Sequence, residues 1–469
     1  KPHSFLFIHN QSNTKGDLDS TKTIPLGQAG DGNAILLGNK HDVLVTSLPI
    51  QQEYLDYWTN TLKLTIPQIF VPKTFDTDLL QSVVNHKEDL IEFIQQKQKE
   101  GKVQKDVILS VFEADERDIE LLETLKKAGL GDDLTSECNY DLLTLGNKDG
   151  FREFCHEHQV TQLPGGTFKD VEELEKFVIG QHEQRHTVVI KSPHGIGVDE
   201  HDDLMSKSCA GGGGQLRLKP PKKEEIEKVK EGSKTAKWQE TVREWISKEK
   251  AVEAEQFADA PEREMVVDIY IDPTDEHHAA VVFDQLVKNE NEEEGMAYYG
   301  AKYPSIAKEA EQTIMKQVED TVAPALVKAG YRGPAGIDVL WNPLHFMELN
   351  MRTDAITYVK HLTDRLGKNL YQTQPGSTAF MSLVNLPLDL APAQLFQQHA
   401  DALSVTEEGV FALSNPNRQR WGFYDVVAVS PKGRAAAEEV MKKGLEKIWG
   451  KEKAEHFLKV VYVPGTAKE

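Results

Sequence analysis

The stretch AGIDVLWNPLHFMELNMRTDA, from Ala335 to Ala355, contains two apolar runs joined by an Asn-Pro pair. A pair of this kind between two such runs predicts a turn, so we expect the runs to form neighbouring strands of a hairpin. Side chains alternate between the two faces of a strand, which places Glu348 and Asn350 on the same face. Asp338, on the other strand, is predicted to lie near that face.

The side chains of this predicted hairpin suit a metal and a phosphate. Carboxylate and amide oxygens are hard ligands that Mg²⁺ prefers, including Mg²⁺ that also holds phosphate oxygens. Arg352, just beyond the second strand, could hold a phosphoryl or carboxylate group in a bidentate fork. A polar face turned to solvent is the alternative. Against it, Leu349 and Met351 supply apolar bulk on the opposite face, which predicts one buried and one functional side.

Composition and charge limit the classes of function. The chain has 469 residues, of which 39% are hydrophobic and 28% charged, so it is expected to fold throughout, in roughly two to four domains. A formal net charge of −21 argues against nucleic acid or an anionic membrane surface as a partner, because the field would repel a polyphosphate. No apolar run is long enough to span a bilayer and no signal peptide is recognisable, which predicts a cytoplasmic protein. The three cysteines have no CxxC spacing and are predicted to be free thiols.

The pattern of apolar runs divides the chain into four regions. In residues 1–145, short apolar runs alternate with helical patterns, which predicts βα units around a parallel sheet. Residues 146–260 contain the strand VVIK and a run of four glycines, residues 261–392 contain the hairpin, and residues 393–469 form a small α+β region. The glycine-rich segment LGQAGDGNAILLGN, residues 26–39, is interpreted as a hairpin or loop, since no clear strand precedes it and no helix opens after it.

Two features of the second region suit a polyphosphate. Lys191 ends a β-branched strand, where a lysine is favourable if it meets an anion, although taken alone the residue is better explained as an edge lysine that faces water. Gly211, Gly212, Gly213 and Gly214 offer backbone amides without side chains, which could close over phosphates as a flap. The segment His194–Gly197 is the alternative flap. Residues 210–214 are favoured because a predicted strand follows them directly.

In their order along the chain, these elements resemble the ATP-grasp superfamily. The order is a lysine before the helix of NKDGFREF, the lysine strand VVIKSP, the glycine-rich flap, the strand AVEAEQF and an Asp…Glu-x-Asn-x-Arg hairpin. The order is specific, whereas no single element is. The βα region followed by LGNKDGFREF is most similar to carboxylate-amine ligases with a pre-ATP-grasp domain, a group that includes pheganomycin-type peptide ligases and L-amino acid ligases.

The resemblance implies an ATP-grasp fold of mixed α/β and α+β class, with ATP and Mg²⁺ as cofactors. It implies a pre-ATP-grasp domain over residues 1–145, two ATP-grasp subdomains over 146–260 and 261–392, and a small C-terminal region over 393–469. The implied site residues are Lys148 and Lys191 at the phosphates, the glycines 211–214 in the flap, Glu255 and Phe257 at the adenine, Glu264 at the ribose, Asp338, Glu348 and Asn350 at two Mg²⁺ ions, and Arg352 at the transferred phosphoryl group. Lys191 and Arg352 are the implied catalytic residues.

The implied reaction joins a carboxylate, such as an amino acid or peptide, to an amine through an acyl phosphate, with ADP and phosphate as products. A kinase built on the same nucleotide site and a catalytically inactive nucleotide-binding protein are the alternatives. A homodimer is a further implication of the resemblance, and the identities of the substrates are not readable from the motifs. Asp354 lies where many relatives carry small residues, which motivates the hypothesis that it faces the ammonium group of an amino-acid substrate.

Overall fold

In the part of the chain that it describes, a computed structural model shows three β-sheets with helices packed on them. The structure describes residues 3–9, 30–76, 78–112, 116–130, 145–146, 148–191, 215–218, 237–257, 263–271, 277–289, 296–342 and 344–462. None of the helices in these ranges is long and apolar enough to cross a membrane.

The first sheet is parallel and has four strands in the order β3-β2-β1-β4. The elements of this unit are β1 His3–Ile8, β2 Val43–Val45, α1 Gln52–Asp56, β3 Gln68–Phe70, α2 Leu79–Asn85, α3 Lys87–Lys99, β4 Asp106–Val111 and α4 Glu116–Lys127. From β1 the chain builds the sheet outward through β2 and β3 on one side, and β4 then adds to the other side. In sheets of this type, ligands bind where the carboxyl ends of such central strands meet.

The segment predicted as a hairpin or loop contains a short helix instead. Gly32–Leu36 form a 3₁₀ helix, so that interpretation is wrong for these five residues. Ala34, Ile35 and Leu36 are buried in the core that the N-terminal unit shares with later strands. Burial against distant parts of the chain therefore decides the local structure, and the sequence pattern of the segment carries no sign of those contacts.

The second sheet is antiparallel and has the order β5-β8-β6-β7. Its unit contains α5 Lys148–Glu157, β5 Gly165–Phe168, α6 Val171–Glu183, β6 Val188–Lys191, β7 Gln215–Leu218, α7 Lys237–Glu249 and β8 Val252–Gln256. Val188 and Ile190 of β6 pack in an apolar cluster with residues of α6 and α7. Because side chains alternate along a strand, Lys191 is directed to the opposite face of this sheet.

The third sheet has nine strands in the order β13-β12-β9-β10-β11-β14-β16-β15, with β17 paired to β10. Its strands are β9 Arg263–Ile271, β10 His277–Asn289, β11 Met296–Tyr303, β12 Gly333–Trp341, β13 His345–Asn350, β14 Ala379–Pro387, β15 Val410–Leu413, β16 Phe423–Ser430 and β17 Val461–Tyr462. Its helices are α8 Lys308–Gln317, α9 Ala323–Ala329, α10 Ala355–Leu366, α11 Pro392–Gln398, α12 Arg434–Trp449 and α13 Lys451–Val460. Strands β15, β16 and β17 thus extend the same sheet as the hairpin, and the region boundaries at 145, 260 and 392 stay predictions.

Candidate active site

The hairpin of β12 and β13 presents a row of polar side chains on one face. Asp338 lies directly opposite Glu348, and Gly336 lies opposite Asn350. The alternating residues Ile337 and Leu349 are fully buried on the other face, in an apolar cluster with residues of α8 and α9. The apolar face therefore fixes which way the hairpin lies, and the acids and the amide are left on the face that can meet a ligand.

The two carboxyl groups of the hairpin differ in their electrostatic surroundings. Burial raises the pKa of Asp338 to about 8, and the negative charges of Glu348 and Asp354 add to that effect. Burial acts in the same direction on Glu348, but the positive charges of Lys148 and Lys191 outweigh it and lower the pKa of this carboxyl. The pair consequently holds a proton on Asp338 near neutral pH while Glu348 is ionised.

Lys148 begins α5 and reaches the hairpin directly. Its Nζ atom lies 3.1 Å from Oε1 of Glu348 and the two groups form an ion pair. The Lys148 side chain is largely buried. An ammonium group predicted to bind phosphate thus lies beside a carboxylate predicted to bind a metal ion.

Lys191, at the end of β6, belongs to a buried network of charges. Its Nζ atom donates a short hydrogen bond to Glu255, and Arg152 of α5 contacts Glu253 at 2.6 Å and Glu255 at 2.9 Å. Burial alone would lower the pKa of Lys191, but the negative charges of Glu255 and Glu253 outweigh it and raise the pKa. Lys191 therefore remains an ammonium group although only 8% of its surface is exposed.

The structure brings Glu264 to the same region. Glu264 lies near the start of β9, opposite Leu340 on β12. Burial raises its pKa to about 7, and the positive charge of Lys191 acts in the opposite direction. The positive charge of Lys191 also lowers the pKa of the Glu348 carboxyl. Lys191, Glu264 and Glu348, which come from two different sheets, are therefore close enough to interact electrostatically.

Glu255 and Phe257, the residues predicted to lie near the adenine, both make hydrogen bonds within the second sheet unit. Glu255 accepts hydrogen bonds from Lys191 and Arg152, and the backbone N–H of Phe257 donates to the carbonyl oxygen of Thr187 at 2.8 Å. The glycines 211–214 and the alternative flap at 194–197 lie outside the described residues.

Arg352 is held at the end of the hairpin by contacts from two parts of the molecule. Its Nη1 atom donates to Oδ1 of Asn350 at 3.0 Å. Its guanidinium carbon lies 4.9 Å from the ring centroid of Phe112, the residue that follows β4. A cation at this distance from an aromatic ring is attracted by the electrons of the ring face. The carboxyl end of the N-terminal sheet therefore reaches the predicted catalytic arginine.

Several residues of the site are missed by sequence reasoning. Arg152 lies four residues after Lys148 on one helix face, and Glu253 lies two residues before Glu255 on one strand face, so both could have been found from helical and strand spacing. Phe112 and Asp268 reach the site only through tertiary structure and strand register. Spacing along the chain contains no signal for these two.

Asp354 has a clear local role. Its Oδ1 atom accepts hydrogen bonds from the backbone N–H groups of Ile356 and Thr357, both at 2.8 Å, and so caps α10. Capping by an aspartate stabilises a helix by about 1 kcal/mol. The negative charge of Asp354 also raises the pKa of Asp338 and of Asp268 on the polar face.

The donor set of the hairpin is compatible with Mg²⁺. Two carboxylates and an amide oxygen, from Asp338, Glu348 and Asn350, lie on one face of two adjacent strands. Oxygen donors of this kind fit Mg²⁺, which usually takes one or two carboxylates and completes its shell with water and phosphate oxygens. Among the residues that the structure describes, no group of three or more His, Cys, Asp or Glu side chains is arranged to hold a metal ion. The three oxygen donors would leave the other positions of the ion to water and phosphate oxygens.

Comparison of the sequence with known proteins identifies no matching family model and no matching curated protein. Solved structures do match the fold. N5-carboxyaminoimidazole ribonucleotide synthetase from Thermus thermophilus has a TM-score of 0.51 at 12% identity, over 95% of this chain and 98% of that chain. Biotin carboxylase from Campylobacter jejuni, in a β,γ-ATP complex, has a TM-score of 0.54 at 12% identity, over 97% of this chain and 95% of that chain. N5-carboxyaminoimidazole synthetase from Staphylococcus aureus, complexed with ADP, has a TM-score of 0.50 at 12% identity, over 95% and 97%. These matches confirm the predicted fold.

Proposed function

We propose that this protein, which has the ATP-grasp fold of these neighbours, is an ATP-dependent carboxylate-amine ligase. One observation carries the proposal: the ammonium groups of Lys148 and Lys191 lie at the acidic face of the hairpin, with Lys148 3.1 Å from Glu348. A triphosphate with bound Mg²⁺ needs this combination, since cations must meet the phosphates and carboxylates must meet the metal. Two of the neighbours are complexes with ADP and β,γ-ATP, which supports a nucleotide as the ligand of this fold.

In the nucleotide complex, the ion pairs of the present structure are expected to exchange partners. Glu348 would join Asp338 and Asn350 in holding Mg²⁺, which supplies positive charge to the phosphate oxygens. Lys148 would then be available to the phosphates. Lys191 keeps its position through Glu255, because Arg152 ties that carboxylate to Glu253. The network of Arg152 with these acids thus orients Lys191.

The residues of the site account for a first step of phosphoryl transfer. An oxygen of the substrate carboxylate attacks the γ-phosphorus, the bond from that phosphorus to the bridging oxygen breaks, and ADP leaves with the electron pair. Lys148, Lys191 and Arg352 offset the negative charge that spreads over the transferred group. Phe112 and Asn350 hold the arginine in place for this task.

The second step forms the amide. The amine nitrogen attacks the acyl carbon, the bond from that carbon to the phosphate oxygen breaks, and phosphate leaves while the nitrogen loses a proton. Water would hydrolyse the acyl phosphate, so the site must be closed while the intermediate exists. The predicted glycine flap, at residues 210–214 or 194–197, is the proposed closing element.

A phosphate-release screen with Mg²⁺ and ATP tests this function. Donors would be N-acetyl amino acids, free amino acids and bicarbonate, and acceptors would be free amino acids and amino-acid amides. An amino-acid amide has an ammonium group but no free carboxylate, so it can serve only as the acceptor. We expect phosphate release to require both substrates and the product mass to equal their sum less one water. Release of ADP with one substrate and a phosphorylated product would instead identify a kinase, and no nucleotide turnover with any pair would contradict the proposal.

A further inference from the structure

A second pair of acids lies beside the predicted metal face. Asp268 of β9 is opposite Gly336 of β12, and Gly336 is in turn opposite Asn350 of β13. Asp338 follows Gly336 by two residues, on the same strand face. The Asp268 carboxyl therefore lies one step along the sheet from the acids predicted to hold Mg²⁺.

Asp354 meets this acid from the start of α10. The hydroxyl oxygen of Thr357 lies 3.0 Å from Oδ2 of Asp268 and 2.9 Å from Oδ1 of Asp354, so one hydroxyl lies between the two carboxyl groups. The other oxygen of Asp354 extends over Gly336, because a Cβ atom at that position would overlap Oδ2 of Asp354. A glycine at this point of β12 makes room for a carboxylate.

The charge of this pair has no counterion among the described residues. Asp268 is only 4% exposed, and its Oδ1 atom is buried without a hydrogen-bond partner. No ion pair to Asp268 or Asp354 is formed within the described part of the chain. Lys360, the lysine whose charge acts on Asp268, is paired with Asp364 at 2.5 Å. A buried carboxyl group without a counterion favours its protonated form, and a bound cation would replace that proton and stabilise the ionised form.

We propose that Asp268 and Asp354 form the subsite that binds the ammonium group of the amine substrate. This inference rests on the proposed function, because it assigns the amine of that reaction to the class of primary ammonium compounds. The inference also places the amine next to the transferred phosphoryl group.

Position and chemistry both support the assignment. The amine must wait close to the acyl phosphate that forms at Arg352, and Asp354 is two residues beyond that arginine. Burial, followed by the negative charge of Asp354, raises the pKa of the Asp268 carboxyl well above its usual range. The buried hydroxyl of Tyr298 lies close enough to both acids for their negative charges to raise its pKa. Acceptor groups left in this condition favour a ligand that brings several N–H donors, as an ammonium group does.

Binding of a minimal probe tests the subsite without any turnover. The probe is glycinamide, a small primary ammonium compound, and acetamide of similar size is the neutral control. Thermal unfolding of the whole protein would be measured against the concentration of each, with Mg²⁺ and a non-hydrolysable ATP analogue present. The variants are Asp268→Asn and Asp354→Asn, and the control is Asp320→Asn, which replaces an exposed aspartate of the same unit. Asparagine retains both size and helix capping, so both variants are expected to fold.

We expect glycinamide, and not acetamide, to raise the melting temperature of the wild-type protein and of the Asp320 variant. In each of the two site variants, the apparent affinity for glycinamide should be at least about tenfold weaker. An equal response of site variants and wild type, or no response of the wild type, would overturn the subsite. Failure of the proposed function would look different, since it would appear as absence of turnover in the substrate screen whether or not glycinamide binds.

Discussion

Lys191 shows how a single residue is brought to the site by the packing of its own strand. Val188 and Ile190 are buried beneath α6 and α7, which directs Lys191 to the face that carries Glu253 and Glu255. Those acids hold its charge in a buried position that an isolated lysine would avoid. Under the proposed function, this position preorganises the lysine to meet a phosphate, so its removal is expected to slow the chemical step.

Lys191→Ala is expected to lower turnover by about a hundredfold, because one preorganised charge contributes a few kcal/mol to stabilisation of the transition state. The measurement is the rate of phosphate release at saturating ATP and substrates. Lys176→Ala is the matched control, since Lys176 is exposed on α6 of the same unit. Turnover near the wild-type level in the Lys191 variant would contradict its assignment to the phosphates.

Asp338 makes a prediction about stability and pH. Its pKa is about 8 in the folded protein against an ordinary 3.8, so between these values the folded state holds a proton that the unfolded state has lost. Its contribution to the free energy of unfolding therefore falls as pH rises from about 4 to about 8. Asparagine carries no such proton. At pH 5, Asp338→Asn should have about the same free energy of unfolding as the wild type. At pH 8, its free energy of unfolding should be higher than that of the wild type by roughly 1 kcal/mol or more.

Thermal unfolding of the wild type and of Asp338→Asn at each pH tests this prediction. A constant difference between variant and wild type from pH 5 to pH 8 would show that Asp338 is ionised in the folded protein throughout this range. Glu264→Gln offers a second case, because burial raises the pKa of Glu264 to about 7.

At the scale of elements, the hairpin was predictable and its surroundings were not. The strands β12 and β13, the turn between them and the face of Glu348 follow from local alternation, which is visible in the sequence. The pairing of β9 with β12, which brings Asp268 to the site, depends on strand register between distant segments. The segment from α8 to α9 is helical throughout, with a π-helical turn at Val318–Val322 between the two α-helices. Periodicity alone does not reveal such an insertion.

A bulge in β11 provides a test of this architecture. Gly300 has a φ of +152°, and a Cβ atom there would overlap the carbonyl oxygen of Ser382 on the neighbouring strand β14. Gly300→Ala should therefore lower the free energy of unfolding by about 1 to 3 kcal/mol. Gly180→Ala is the control, because Gly180 lies in α6 with open space around it.

The same substitution is expected to act in opposite directions at these two positions. In the helix, alanine should raise the free energy of unfolding by about 0.5 to 1 kcal/mol, since it restricts the unfolded chain more than glycine does. Thermal unfolding of both variants gives the signs. A Gly300 variant as stable as the wild type would show that the bulge does not require glycine.

At the scale of the whole molecule, the N-terminal unit is joined to the nine-stranded sheet through one core. Leu44, Trp58 and Leu62 share an apolar cluster with residues of β14, β15 and β16. Arg365 of α10 donates to the carbonyl oxygens of Leu36 at 2.9 Å and Thr65 at 2.5 Å. These contacts hold the carboxyl end of the first sheet, including Phe112, against the site. Contacts between parts of the chain this far apart have no counterpart in local sequence patterns.

Phe112 is expected to act on catalysis across this junction. Phe112→Leu removes the ring beside Arg352, and loss of a cation–π contact of about 0.5 to 2 kcal/mol should lower kcat by roughly 2- to 30-fold with little change in KM for ATP. Phe112→Tyr should restore turnover. Phe93→Leu is the matched control, since Phe93 also carries a cation, Lys97 at 5.4 Å, but lies on α3. Equal effects of the two leucine variants on kcat would remove the specific role of Phe112.

The central claim is that a triphosphate lies between the lysines of the second sheet unit and the acids of the hairpin. A crystal structure with Mg²⁺ and a non-hydrolysable ATP analogue measures this directly. We predict phosphate oxygens within hydrogen-bond distance of Lys148 and Lys191, and a metal ion on Asp338, Glu348 and Asn350. A nucleotide bound elsewhere, or one in this cleft that leaves the Lys148–Glu348 ion pair intact and both lysines without phosphate contact, would contradict the account.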